Sequence, residues 1–198
     1  MTDSFERQMA QLADAYKQWN IGVDQPGPVL PKGRYTLRNS RSRKFLQYEK
    51  QTWGINLGWT DDATAAGVAR WFVTRKDGRT GPVPFEENVA LANGTGDSWL
   101  RYAERDFGIN LTWSGQPVFE WTYLGGRPGQ AALRGQNIAI YNQRIKLFLV
   151  QFDRDIGGDV GWSDSKSWLD RWGDKFVDLV GEYGTAAVEK AVHAYLAR

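Results

Sequence analysis

The chain has 198 residues, a formal charge of +2 and a 41% hydrophobic share, enough for one full core or a compact domain with appendages. It has no cysteine, which excludes disulfides and thiolate metal sites, and no apolar run of the about eighteen residues that a spanning helix needs, so a soluble protein is expected. The small net charge argues against a nucleic-acid binder, while ten tryptophans and twenty-two glycines against seven prolines point to an aromatic-rich chain of tight turns.

The N-terminal stretch SFERQMAQLADAYKQWN sets Phe5, Met9, Leu12, Tyr16 and Trp19 at alternating spacings of four and three, one face of an amphipathic helix within residues 1–22. Acids come early and no apolar run follows, so no signal peptide is read there. The expected location is the cytoplasm, or outside the cell by release without a classical signal. Residues 23–32 are rich in Gly and Pro and read as a linker.

From residue 33 the chain repeats itself. WGINLGW, from Trp53 to Trp59, returns as FGINLTW from Phe107 to Trp113 and, degraded, as IGGDVGW from Ile156 to Trp162. At offsets of 54 and 49 the register extends over about twenty-eight residues. It aligns Tyr35, Val89 and Ile138; Leu37, Leu91 and Ile140; Asn39, Asn93 and Asn142; Phe45, Trp99 and Phe148; and Leu46, Leu100 and Leu149. Gly54, Gly108 and Gly157 are shared, and Trp59, Trp113 and Trp162 close each block.

Each block reads as strands. YTLRN and VALAN alternate and end in Asn, which tolerates left-handed turn geometry; KFLQY and SWLRY follow as second strands. In the third strand Trp53, Ile55, Leu57 and Trp59 share one face, with Gly54, Asn56 and Gly58 opposite, and Gly54 is expected to permit close approach at the hairpin. VARWFVTRKDG and PVFEWTYLGG read as fourth strands ending in Gly-containing turns. One such unit cannot bury its own apolar face, so three are expected to close a barrel around a shared core; a propeller needs more blades than three repeats supply.

The C-terminal stretch turns helical. Leu169, Trp172, Phe176, Val180 and Tyr183 form one stripe, and Val188, Val192 and Tyr195 continue it beyond a break at Gly181 or Gly184, with Thr185 as the expected N-cap. Both end helices read either as additional core or as a dimer interface or docking surface for a protein partner.

The run VALANGTGDSWLRYAERDFGINLTWSGQPVFEWTYLGG resembles one unit of the β-trefoil superfamily, of the fascin-like or trefoil-lectin kind. The expected fold class is therefore mainly β, a β-trefoil with amphipathic helical extensions at the N- and C-termini. Its repeats span about residues 33–84, 85–133 and 134–168, and residues 169–198 form the C-terminal extension. The ricin-type Gln-x-Trp signature is not repeated: Gln51-Thr52-Trp53 becomes Arg105-Asp106-Phe107 and Arg154-Asp155-Ile156.

No catalytic constellation emerges. The single histidine, His193, stands in the last helix and reads as a surface or capping residue; no nucleophile elbow, P-loop or cofactor fingerprint is present. The aspartates Asp153, Asp155, Asp159 and Asp164 loosely resemble a calcium loop but lack its terminal Glu, so neither metal nor cofactor is expected. Two Asn-x-Thr sequons, at Asn93 and Asn110, read as chance occurrences without a secretion signal.

The expectation is a non-enzymatic binding protein. Asn56, Asn110 and Asp159 are equivalent and point away from the apolar strand face; with Tyr48 and Tyr102 they are the residue types of a sugar site, amide for hydroxyls and ring for the C–H face. The same side chains equally suit backbone bonding within hairpins. Gln151 replaces the Tyr in the third copy, which weakens that site. Resemblance to trefoil lectins makes a glycan or glycoconjugate the first expected partner. The alternatives are a protein-interaction module (toxin targeting component, inhibitor or cytoskeletal binder) using the end helices, and a polyanion binder. The last rests on Lys32, Arg34, Arg38, Arg41, Arg43 and Lys44, a basic cluster confined to the first repeat.

Overall fold

A computed structural model describes residues 3–23, 26–52, 54–62, 70–106, 108–152, 160–164, 179, 181 and 184–197. Trp53, Phe107, Ile156, Gly157, Asp153, Asp155, Asp159 and the stripe Leu169, Trp172, Phe176, Val180 and Tyr183 lie outside the described residues. The chain is mainly β. Helix α1 (Asp3–Tyr16) precedes β1 (Trp19–Ile21), followed by β2 (Arg34–Asn39), β3 (Phe45–Tyr48), β4 (Leu57–Thr60) and β5 (Arg70–Arg75). Then come β6 (Val89–Asn93), β7 (Trp99–Tyr102), β8 (Leu111–Ser114), β9 (Trp121–Leu124), β10 (Asn137–Asn142), β11 (Leu147–Gln151), β12 (Val160–Trp162) and α2 (Thr185–Leu196).

Six strands close a barrel. β5 pairs with β2 and β6, β9 with β6 and β10, and β1 with β10 and β2, all antiparallel. β3 and β4, β7 and β8, and β11 and β12 form hairpins that continue from β2, β6 and β10. Strand β1 thus does for β10 what β5 does for β2 and β9 for β6. The third repeat takes its fourth strand from the N-terminal end of the chain. This corrects the helical reading of residues 1–22: α1 stops at Tyr16, and Trp19 is a fully buried strand residue.

The reason is visible at the barrel centre. Trp19, Trp71 and Trp121 are each wholly buried, and a buried indole N–H needs an acceptor. Trp71 donates to the carbonyl of Leu46 at 2.8 Å, Trp121 to that of Leu100 at 2.8 Å, and Trp19 to that of Leu149 at 2.7 Å. The three leucines are the repeat-equivalent ones. A second ring of tryptophans stacks on the first: Trp59 on Trp19 with centroids 6.0 Å apart, Trp113 on Trp71 at 6.1 Å and Trp162 on Trp121 at 5.9 Å. Each stack joins one repeat to its neighbour. At another place the backbone makes a cyclic triangle: Val29 N–H donates to Ala132 C=O at 2.9 Å, Ala132 N–H to Val83 C=O at 2.9 Å, and Val83 N–H to Val29 C=O at 2.8 Å. Part of the supposed linker is therefore one corner of a threefold closure.

The helices bury a second cluster on the outside of the third repeat. Met9, Leu12, Ala13 and Tyr16 of α1 and Val188, Val192 and Leu196 of α2 meet Ala139, Tyr141, Phe148, Val150 and Phe152. Those barrel positions explain the docking site. Val150 and Phe152 correspond to Gln47 and Glu49 in the first repeat and to Arg101 and Ala103 in the second, so only the third repeat presents an apolar outer face. The N-cap position of α2 is Gly184, at φ 80°, and Thr185 is already helical, which corrects the expected cap.

The heptapeptide is shorter as a strand than its pattern suggests. Ile55 and Leu57 are buried in the core, but the ladder begins at Leu57. Gly54 and Gly108 have φ of 90° and 85°, and a Cβ at either would meet nothing nearer than Gln51 Oε1 at 3.9 Å. Left-handed geometry, and not the close approach expected, is what requires glycine there.

Candidate functional site

The repeated asparagines divide into two sets. Asn39, Asn93 and Asn142 are buried and hold turns: Asn39 Oδ1 accepts from Arg41 and Ser42 N–H at 2.9 and 3.0 Å, Asn93 Oδ1 from Gly96 N–H at 3.1 Å, and Asn142 Oδ1 from Arg144 and Ile145 N–H at 3.0 and 3.3 Å. In the second repeat Thr95 and Asn93 also donate to Asp97, and these bonds, the hydroxyl's first, hold its carboxyl below its ordinary range.

Asn56 and Asn110 are half-buried and share one bonding scheme. Gln51 N–H donates to Asn56 Oδ1 at 3.0 Å, and Arg105 N–H donates to Asn110 Oδ1 at 3.1 Å. Glu49 and Ala103 N–H donate to the backbone carbonyls of the same two residues. In the first repeat Asn56 Nδ2 also donates to the Tyr48 hydroxyl at 3.1 Å. The amide thus stiffens the hairpin and fixes the phenol beside it. Asp159, the third equivalent, lies outside the described residues.

Tyr48 and Tyr102 stand at the seams between repeats. Tyr48 meets Trp113 of the second repeat edge-on, centroids 5.1 Å apart, and Tyr102 meets Trp162 of the third at 5.9 Å. Both phenols are half-buried. The two seams differ in their polar surroundings. Beside Tyr102 the Arg144 guanidinium lies 5.5 Å from the ring centroid, a cation–π distance. The buried Glu120 carboxylate accepts the Tyr102 N–H through Oε1. The repeat equivalent of Arg144 next to Tyr48 is Thr95, which leaves no cation at the matching position. In the third seam Gln151 stands in for the tyrosine, receiving a 2.9 Å bond from the Ser42 hydroxyl while its N–H donates to Gln18 Oε1 at 2.6 Å. Gln18 and Glu120 are equivalents, each preceding an inner tryptophan. Sequence inspection missed Glu120 because its counterparts are Gln18 and Arg70, three different chemistries at one position.

The basic cluster spreads along the first repeat. Arg34 and Arg38 lie on the outward face of β2; Arg38 is half-buried and donates to Asn20 Oδ1 at 3.4 Å. Arg41, Arg43 and Lys44 are exposed together on the β2–β3 turn, with Arg43 at φ 62°. Lys32 also has left-handed φ, 63°, and its repeat equivalents Glu86 and Gly135 share it at 66° and 78°, so that conformation belongs to the scaffold.

His193 is half-buried, its ring edge-on to Tyr141 with centroids 5.1 Å apart. Among the described residues no group of three or more His, Cys, Asp or Glu side chains is arranged to hold a metal ion, and no helix is long and apolar enough to cross a membrane. No protein-family model matches the chain, and no curated protein matches it significantly.

Proposed function

We propose that the chain is a non-enzymatic, carbohydrate-binding β-trefoil with its contacts at the seams between repeats. The trefoil reading is supported by the cyclic pairing of six barrel strands and by the three equivalent Trp-to-Leu bonds. One observation carries the ligand class: the same pair, a half-buried tyrosine edge-on to a tryptophan, recurs at two equivalent seams. A tyrosine fixed in this way offers a ring to the C–H face of a sugar at small entropic cost, because it is already held by its neighbours. Asn56 and Asn110 act as positioning residues, since their carbonyl oxygens already serve the hairpin. At the Tyr102 seam Glu120 and Arg144 supply an acceptor and a donor for hydroxyls.

A glycan array with the intact chain tests this reading. Binding is expected, and Tyr48→Ala together with Tyr102→Ala should abolish it while the melting transition stays cooperative. A silent array, or unchanged binding by the double variant, would sink the reading. Substituting the asparagines is a poorer test, because it removes hairpin bonds as well.

A second reading is favoured by the exposure of Arg41, Arg43 and Lys44 on one turn: binding of a sulfated or phosphorylated polymer. It predicts steep salt dependence that disappears when these three become alanine. The third, a protein partner at the helices, is less well supported, since the apolar faces of α1 and α2 meet each other and the barrel.

A further inference from the structure

Away from the seams, α2, the third repeat and Glu86 of the second repeat border an open cleft of about 480 Å³ lined by Glu86, Tyr141, Gln143, Lys146, Ala186, Lys190 and His193. That volume lies within the range of small-molecule sites, about 300–1,000 Å³. The helix contributes Ala186, Lys190 and His193, spaced four and three apart on one stripe beside the buried stripe Val188, Val192 and Leu196. The turn between β10 and β11 contributes Gln143 and Lys146, and Lys146 Nζ donates to Gln143 Oε1 at 3.2 Å. Tyr141 supplies a ring wall, on which His193 rests edge-on.

Two features separate this cluster from scaffold. The repeat equivalents of Tyr141, Gln143 and Lys146 are Ala92, Gly94 and Asp97 in the second repeat and Arg38, Ser40 and Arg43 in the first, so barrel geometry does not call for them. Ala186 lies in the first turn of α2, which has no acidic residue and, among the described residues, no side-chain cap. That end of the helix favours negative charge. Among the described residues, two ammonium groups and an imidazole thus line the cleft beside the first turn of α2, against one carboxylate, Glu86.

We infer that this cleft binds a small phosphomonoester carrying hydroxyl groups. The phosphate, with a charge of about −1.5 to −2 near neutral pH, meets Lys146 and Lys190, where a carboxylate would need only one of them. Glu86 opposes a bare anion but accepts from the hydroxyls of the ligand's body, and Tyr141 and Ala186 pack against its carbon skeleton. The inference is independent of the seam reading.

Calorimetric titration of the full chain with ribose 5-phosphate, ribose and inorganic phosphate tests it. Ribose 5-phosphate is expected to saturate the protein, inorganic phosphate to bind more weakly and ribose not at all. Lys146→Ala and Lys190→Ala should each weaken ribose 5-phosphate by about tenfold or more, the usual scale for one charge-assisted bond. Both lysines are exposed, so the melting temperature should hold. Glu86→Gln should tighten inorganic phosphate and weaken the sugar phosphate. Replacing Arg41, Arg43 and Lys44 by alanine should change none of this. Absence of saturation by ribose 5-phosphate, or an unchanged titration in the Lys146→Ala/Lys190→Ala protein, would overturn the inference.

Discussion

The two rings of tryptophan at the barrel centre contain the same residue in the same stacked pairs, yet they are bonded differently. In the inner ring Trp19, Trp71 and Trp121 are wholly buried and every indole N–H reaches a leucine carbonyl. In the outer ring the N–H groups of Trp59, Trp113 and Trp162 are buried without an acceptor among the described residues, and Trp113 and Trp162 each border a seam tyrosine. Repetition alone therefore does not identify a site. The inner ring ties strand to strand and is scaffold. Each outer-ring indole stacks on an inner one, and two of the three, Trp113 and Trp162, also meet the tyrosines on which the proposed sugar contact depends.

The largest effect should come from breaking the inner ring at its most remote member. Trp19→Ala removes the indole that lets the N-terminal strand close the third repeat, and a loss of about 3–5 kcal/mol is expected by denaturant unfolding. A loss under about 1 kcal/mol would mean that β1 is not part of the closed barrel. Next comes the direct contrast between rings. Trp71→Phe removes the buried bond to the Leu46 carbonyl, which costs about 1 kcal/mol beyond packing, whereas Trp113→Phe removes no hydrogen bond among the described residues. The first should therefore destabilise more than the second, and equal losses would erase the distinction.

Smaller effects sharpen the scaffold side. Asn142→Ala frees two turn amides from a fully buried acceptor and should cost about 1–2 kcal/mol, with Asn39→Ala similar if the turns are equivalent. The smallest effect is a pH dependence at Asp97. Its folded pKa is depressed, so the Thr95 and Asn93 bonds favour the folded state above the unfolded pKa, and that contribution is lost as pH falls through the folded value. Comparing acid unfolding of the intact chain with that of Asp97→Asn should show a slightly smaller pH dependence in the variant.

The repeat register made much of this legible. Leu46, Leu100 and Leu149, the turn asparagines and the closing tryptophans occupy matching places because each repeat solves the same burial and turn problems with the same residues. Trp19 was misread for a physical reason: a three-residue strand has no period of its own, and its spacing from Tyr16 continues the helical pattern of α1. The missing fourth strand of the third repeat was the available clue. The docking face for the helices was also present in Val150 and Phe152, visible only by comparing outward positions across repeats. Glu120 carried no such signal, and the cleft beside α2 joins residues about a hundred positions apart, which spacing along a chain does not reveal.

The most direct test of the seam account is a nuclear magnetic resonance titration of the indole N–H signals with the glycan giving the strongest array response. The account predicts that Trp113 and Trp162, which touch Tyr48 and Tyr102, shift with saturation, while the hydrogen-bonded signals of Trp19, Trp71 and Trp121 stay in place. Shifts confined to other residues, with Trp113 and Trp162 unmoved at saturation, would contradict it.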